Sequence, residues 1–365
     1  MLVIVCSLQY VPEEPMAESY HIQEDMKNTI RLRNLIADLP SYCKDFFRGI
    51  EPRTSSRTRI AYAYDLRVFF TFLHENNPSL KKKELSEISL KDLEALRPVD
   101  IEEYLDYAKV YQTRGNDNLH SNQLNSIKRK LASLRSFYKY FYQKELITYD
   151  PVSLVAMPKL HEKNIVRLDP DEVSELLDNV DSGNKLTEKQ ASLHEHMKTR
   201  DLAMMTLFLG TGIRVSECVG LNINDVDLKN AGISIHRKGG KEVTVYFSDE
   251  VEEALLPYLE ERKGITPLPG HEDALFLSVQ RKRITVRAVE NLVKKYTKTV
   301  TLSKNITPHK LRSTYGTNLY RETGDIYLVA DVLGHSDVNT TRKHYAALED
   351  EQRRKARNVV HLRKD

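Results

Sequence analysis

The stretch GISIHRKGGKEVTVYF, residues 232–247, decides the fold. Apolar and polar residues alternate on both sides of KGGK, setting Ile233 and Ile235 opposite Val243, Val245 and Phe247. A period of two with glycines at its centre predicts a β-hairpin. Away from this hairpin the period lengthens. Upstream, LDPDEVSELLDNV (168–180) reads as a helix, with Asp169 able to cap it and Pro170 in its first turn. The polar run 181–198 is expected as a surface excursion before the strongly apolar DLAMMTLFLGTGIR (201–214). Downstream, ALFL (274–277) reads as a short buried strand, and the rest as helix interrupted at TPHK (307–310) and LGHSD (333–337). One small antiparallel sheet inside a mostly helical domain, residues 167–348, is the expectation, with a charged tail at 349–365.

Before this domain, TYDPVSLVAMPKLHEKNIV (148–166) carries two prolines and no sustained periodicity, so it is expected to be an extended linker. A chain of 365 residues also exceeds what one core usually holds. Residues 31–147 are therefore assigned to a first, all-helical domain, preceded by an N-terminal extension at 1–30. In RTRIAYAYDLRVFFTFLHE (57–75) the apolar positions Ile60, Tyr64, Val68 and Phe72 recur every four residues after a Ser/Thr cluster that can cap a helix. From Ser121 to Lys144 a second amphipathic helix buries Leu124, Ile127, Leu131, Leu134, Tyr138 and Phe141. Its cations Lys128, Arg129, Lys130, Arg135, Lys139 and Lys144 meet no acidic residue in the segment, and most are expected on the opposite face. By itself such a run is an ordinary solvated face; against an anionic partner it is a positive stripe.

The overall charge of +3 is a weak pointer to nucleic acid. With 40% hydrophobic and 29% charged residues, the composition is that of a soluble, folded protein. The opening MLVIVCSLQYVPEEP is too short an apolar run to span a bilayer and lacks the pattern of a signal peptide. No membrane association is expected. Three cysteines, Cys6, Cys43 and Cys218, include no short-spaced pair, so neither a zinc knuckle nor a disulfide framework is indicated, and a reducing cytoplasm fits.

Four separated segments hold the chemistry: TGIRVSE with Arg214, HRKGGKE with Lys238, TPHKLRSTYGT with His309 and Arg312, and LGHSDVNTTRKHY with His335 and Tyr345. His309 and Arg312 stand three apart at a helix start, on one face. Together the set offers five donors and no acidic general base. In transfer at phosphorus the charge spreads over the equatorial oxygens, which guanidinium forks and imidazoles can hold. A tyrosine supplies an oxygen nucleophile able to form a covalent phosphoryl intermediate. The competing readings are bland. Arg214 could simply pair with Glu217, three residues on, and Lys238 or nearby Lys241 could be a solvated turn. A metal site on His335 and His344 is disfavoured, because paired helical ligands usually stand three to five apart with a carboxylate or cysteine close by.

In this order the motifs resemble the tyrosine recombinase, or phage integrase, family, from about residue 55 to the C-terminus. The family pattern TG-x-R-x-SE, hairpin lysine, H-x-x-R, LGH and final tyrosine is present at every element, although ten positions separate His335 from Tyr345 where many relatives have nine. The resemblance implies a helical, SAM-like core-binding domain joined to a catalytic domain of the DNA breaking-rejoining fold. By it, Arg214, His309, Arg312 and His335 would surround the scissile phosphate, with Glu217 orienting Arg214. Lys238, favoured over Lys241 by the KGGKE alignment, would protonate the leaving 5′ oxygen, and Tyr345 would form a 3′-phosphotyrosyl link. Neither ATP nor a metal would be required. Lys128, Arg129, Lys130, Arg135 and Lys139 become DNA-binding candidates. The partners implied are duplex DNA carrying a specific target site and further copies of the chain, as a tetramer on two paired sites. A tail like 349–365 commonly docks into a neighbouring protomer in this family. Resolution of chromosome dimers by a Xer-type recombinase is the preferred role, since the chain is compact and lacks an evident arm-binding domain. A mobile-element integrase, a type IB topoisomerase and a noncatalytic DNA-binding regulator are the alternatives.

Overall fold

The computed structural model describes residues 19–112, 119–159, 166–237, 241–335 and 338. The chain divides into two compact units, Met1–Glu162 and Lys163–Asp365.

The first unit contains six helices among its described residues: α1 (Tyr20–Leu35), α2 (Tyr42–Ile50), α3 (Ser56–Asn76), α4 (Leu90–Glu94), α5 (Pro98–Tyr107) and α6 (Leu124–Gln143). Its core is aromatic. Phe46, Phe70, Phe137 and Phe141 are buried, and Phe137 meets the other three rings edge-on or nearly so at centroid distances of 5.0–6.1 Å. Ser55 starts α3 by accepting from the Thr58 N–H at 3.2 Å. Of the four-residue series, Ile60 and Phe72 are buried, Val68 is half-buried and Tyr64 is exposed, while α3 also buries Ala63, Leu66, Phe70 and Leu73. Spacing by four advances about 40° per step around a helix of 3.6 residues per turn, so such a series spreads over a broad arc of the surface rather than marking one buried line.

Three features differ from the sequence expectations. A two-stranded ribbon, β1 (Val110–Gln112) with β2 (Leu119–Ser121), joins α5 to α6, pairing Tyr111 with His120. Residues 20–30 belong to a helix that packs on α3, with the Asn28 amide donating to Ser56 Oγ and Arg31 to the Tyr64 hydroxyl. Residues 151–155, expected in the linker, complete this unit instead. Val152 and Val155 are buried, Asp150 caps the Pro151–Leu154 turn, and Arg135 donates to the Val155 carbonyl at 2.5 Å.

A correction concerns the cations of α6. Lys130 does not face solvent: it is buried and donates at 3.1 Å to Asp65, itself fully buried on α3, while Arg129 pairs with the other Asp65 oxygen. Burial pushes the Asp65 carboxyl above its ordinary range, and Lys130 and Arg129 pull it back. Two of the six cations thus neutralise a buried anion, while Lys139 is exposed and Lys128 half-exposed. Asp65→Asn keeps the shape but leaves the Lys130 ammonium without its counter-charge. A loss of about 3 kcal/mol is expected, read as a lower urea midpoint for the unfolding of this unit.

The second unit is built around α9 (Lys198–Thr211), whose Ala203, Met204, Met205, Leu207 and Phe208 are fully buried. Packed on it are α7 (Pro170–Ser182), α11 (Asp249–Lys263) and α13 (Pro308–Thr323). The remaining helices among the described residues are α8 (Glu188–His194), α10 (Val215–Gly220), α12 (Val286–Thr297) and α14 (Ile326–Leu333). The polar run 181–198 therefore includes a helix, pinned by buried His194, whose Nδ1 lies 3.0 Å from the Tyr296 hydroxyl. The sheet has three strands in the order β3 (Val226–Asp227), β4 (Gly232–His236), β5 (Glu242–Tyr246). Its hairpin register, Ile233 opposite Val245 and Ile235 opposite Val243, is the expected one. Residues 274–277 are buried as expected, but they make only isolated bridges, Ala274 with Asn222 and Leu277 with Arg283.

Among the described residues, no helix is long and apolar enough to cross a membrane.

Candidate active site

The geometry of the second unit converges on the last turn of α14. Gly334 ends this helix in the left-handed conformation, φ +59°, and the His335 N–H bonds back to the Ala330 carbonyl at 2.9 Å. Helix ends leave carbonyls without intrahelical donors and carry the negative end of the helix dipole. Arginines supply both missing components here.

Arg214 sits at the N-cap of α10. Glu217, buried in the first turn, accepts from the Arg214 backbone N–H and from its Nη1, both at 2.7 Å. With one carboxylate holding both ends of the residue, Arg214 Nη2 reaches the Gly334 carbonyl at 3.1 Å. Its side chain remains 38% exposed, which leaves guanidinium donors available to a ligand. The pairing expected as the bland reading is therefore present, and it aims the arginine at the turn that carries His335.

Arg312 reaches the same turn from α13. It is buried, and it donates to the Gly212 carbonyl at 2.5 Å and to the Leu333 carbonyl. Gly212 caps α9 with φ +63°, and a Cβ there would come within 2.5 Å of the Tyr315 ring. Only glycine lets the chain turn this close to α13. Thr307 and Pro308 begin α13, placing exposed His309 in its first turn, where backbone N–H groups favour anions.

The structure thus brings Arg214, Glu217, Arg312 and His335 together around one turn, with His309 on the same helix as Arg312. Lys238 and Tyr345 lie outside the described residues, as does His344. Two of the other tyrosines close to the LGH motif are poorly placed as nucleophiles, and one is open to solvent. Tyr320 is buried, and burial pushes the Tyr315 phenol above its ordinary range, whereas Tyr327 is 71% exposed near the start of α14. Among the described residues, no cluster of three His, Cys, Asp or Glu side chains stands ready to hold a metal. The sequence reading missed Arg237. A cation beside a hairpin turn reads as solvated, and only the packing places its guanidinium against Gly334.

Residues 166–352 match the Phage integrase family, and residues 44–145 match the Phage integrase, N-terminal SAM-like domain. The chain belongs to the phage integrase family. It is 35% identical over 322 residues to the tyrosine recombinase XerC of Caldanaerobacter subterraneus subsp. tengcongensis, covering 86% of this chain and 84% of that protein. To the XerC of Chlorobaculum tepidum it is 31% identical, over 79% of this chain and 84% of that one. In fold it is similar to the XerH site-specific recombinase bound to a palindromic difH substrate, with a TM-score of 0.64, 19% identity and coverage of 92% and 90%. A lambda integrase dimer bound to a core site shares the fold at a TM-score of 0.59, with 17% identity and coverage of 83% and 94%. The chain is a tyrosine recombinase, and its fold is the mainly helical, two-part fold of these family members.

Proposed function

We propose that this recombinase cuts and rejoins duplex DNA at a specific site, with Tyr345 as nucleophile. The observation that carries the reading is the meeting of Arg214 and Arg312 on the carbonyls of Leu333 and Gly334, next to His335. Two guanidiniums held on one turn, beside an imidazole, form a preorganised site for the equatorial oxygens of a phosphodiester. The Tyr345 oxygen attacks phosphorus, the P–O5′ bond breaks, and Lys238 gives a proton to the leaving 5′ oxygen. The resulting 3′-phosphotyrosyl bond is then attacked by the 5′ hydroxyl of another strand, which releases the tyrosine. Glu217 acts through Arg214 by fixing its direction. On α6, Lys128, Arg129 and Lys139 are proposed to contact the DNA backbone; Arg135 is half-buried on Val155, and Lys130 takes no part.

The preferred biological role is Xer-type resolution of chromosome dimers, by a tetramer on two paired sites in the cytoplasm. Support comes from similarity to XerC proteins over more than four fifths of their length. Integration of a mobile element is the alternative within the same chemistry. A plasmid assay separates both from a topoisomerase. Duplexes selected from a random pool by the purified protein supply the site, and supercoiled plasmids carry two copies or none. Recombinant circles are expected only from the two-site plasmid. Efficient relaxation of the plasmid without sites would overturn site-specific recombination in favour of a type IB topoisomerase.

A further inference from the structure

We propose that Arg237 is a positioning residue for the phosphate site, holding the end of α14 so that the carbonyls of Leu333 and Gly334 aim Arg312 and Arg214. This inference rests on the reading of those two arginines as phosphate donors. Arg237 leaves the hairpin from a fixed base, since Ile233 and Ile235 of β4 are buried and its own backbone N–H donates to the Lys241 carbonyl at 2.8 Å. Its side chain crosses to the last turn of α14. Nη2 donates to the Val332 carbonyl at 2.7 Å and Nη1 makes a longer bond, 3.4 Å, to that of Asp331. The guanidinium lies so close over Gly334 that a Cβ there would come within 2.2 Å of Nη1 and 2.4 Å of Cζ. Glycine at 334 is thus required twice, by its positive φ and by the cation resting on it.

Arg237 Nε is buried without a hydrogen-bond partner, a cost that a freely solvated hairpin arginine would avoid. It is tolerated because the cation lies on the negative end of α14 and two of its other donors are engaged there. Three elements thus grip adjoining carbonyls of one turn: the hairpin through Arg237 on Asp331 and Val332, α13 through Arg312 on Leu333, and α10 through Arg214 on Gly334. Arg312 and Arg214 have a second task in the proposed reaction, because a phosphodiester draws on the same guanidinium N–H groups that hold the carbonyls. Arg237 has no part in that site, so its bonds keep the turn in place while the other two guanidiniums engage the substrate. His335 moves with the turn, since its N–H is bonded to the Ala330 carbonyl at 2.9 Å.

The test is a double-mutant cycle with Arg214 on the full chain. Formation of the covalent complex is timed on nicked suicide duplexes bearing the selected site, at saturating protein. Arg237→Ala is expected to slow it by about 10²-fold in the wild-type background, the scale of a misplaced catalytic group. In an Arg214→Ala background the turn no longer has that guanidinium to aim, and the same substitution should slow it by less than about tenfold. A mere loss of folded protein would lower the rate by the same factor in both backgrounds. The protein concentration that half-shifts the duplex should not change. Arg237→Met, which keeps most of the volume and none of the donors, takes the place of the alanine variant if that protein does not fold. Slowing by about tenfold or more in both backgrounds, or by less than about tenfold in the wild type, would overturn the assignment of Arg237. If Arg214→Ala itself cleaves as fast as the wild type, the phosphate-site reading is what has failed, and the inference falls with it.

Discussion

Tyr345→Phe should give no covalent protein–DNA band on a nicked suicide duplex, with cleavage slowed by about 10⁴-fold or more. The phenolic oxygen is the bond-forming atom in the proposed reaction, so no neighbouring group can compensate by stabilising charge. Binding is a different matter. The arginine site and the first unit do not depend on that oxygen, and the phenylalanine variant should shift the same duplex at the same protein concentration as the wild type. Tyr327 is the exposed competitor among the described tyrosines near the LGH motif, so Tyr327→Phe is the informative control and should cleave normally. A covalent band that survives in Tyr345→Phe and disappears in Tyr327→Phe would reassign the nucleophile. Survival in both would exclude Tyr345 and Tyr327 alike as the nucleophile.

The second large effect is expected at Arg312. The residue is 4% exposed, and its guanidinium joins the carbonyl of Gly212 at the end of α9 to that of Leu333 at the end of α14. Arg312→Ala removes a donor to the proposed phosphate site and leaves two carbonyls in a buried setting without this partner. Cleavage should fall by about 10²–10³-fold. Stability should fall by about 3 kcal/mol, read from the urea midpoint of the second unit. Arg312→Lys separates the two contributions. One ammonium cannot reproduce the two-pronged geometry, so cleavage should remain low while part of the stability returns. If cleavage by the alanine variant stays within about threefold of wild type while the midpoint drops, Arg312 is a structural strut and the phosphate reading fails there.

What the sequence made legible follows from the range of the interactions involved. The β4–β5 register could be read because a period of two leaves one choice of buried face, and Ile233 and Ile235 take it. Pro170 and Asp169 announced α7 because capping is a local event. The arginine and histidine motifs were visible as residue types in order, and the structure places Arg214 and Arg312 on a common turn. Other features depend on partners far along the chain. Lys130 belongs by sequence to a solvated stripe, and only Asp65, 65 residues away, draws it inward. Arg237 is adjacent to the lysine singled out in the hairpin, yet its acceptor on Val332 is 95 residues away. Val152 and Val155 lie in a proline-bearing stretch, but the hydrophobic surface offered by α5 and α6 recruits them. Propensity and periodicity carry no signal for such pairings.

The arginines around Gly334 also bear on when activity can appear during folding. Arg214 finds its Gly334 acceptor across 120 residues, and Arg312 reaches Gly212 across 100. Contacts of such separation incur their loop-closure cost before they return any stability, so they form late. A nascent chain that has not yet reached residue 334 has the arginines but not the carbonyls that aim them. The turn on which Arg214 and Arg312 meet, and with it the proposed phosphate site, therefore arrives only with the completed second unit.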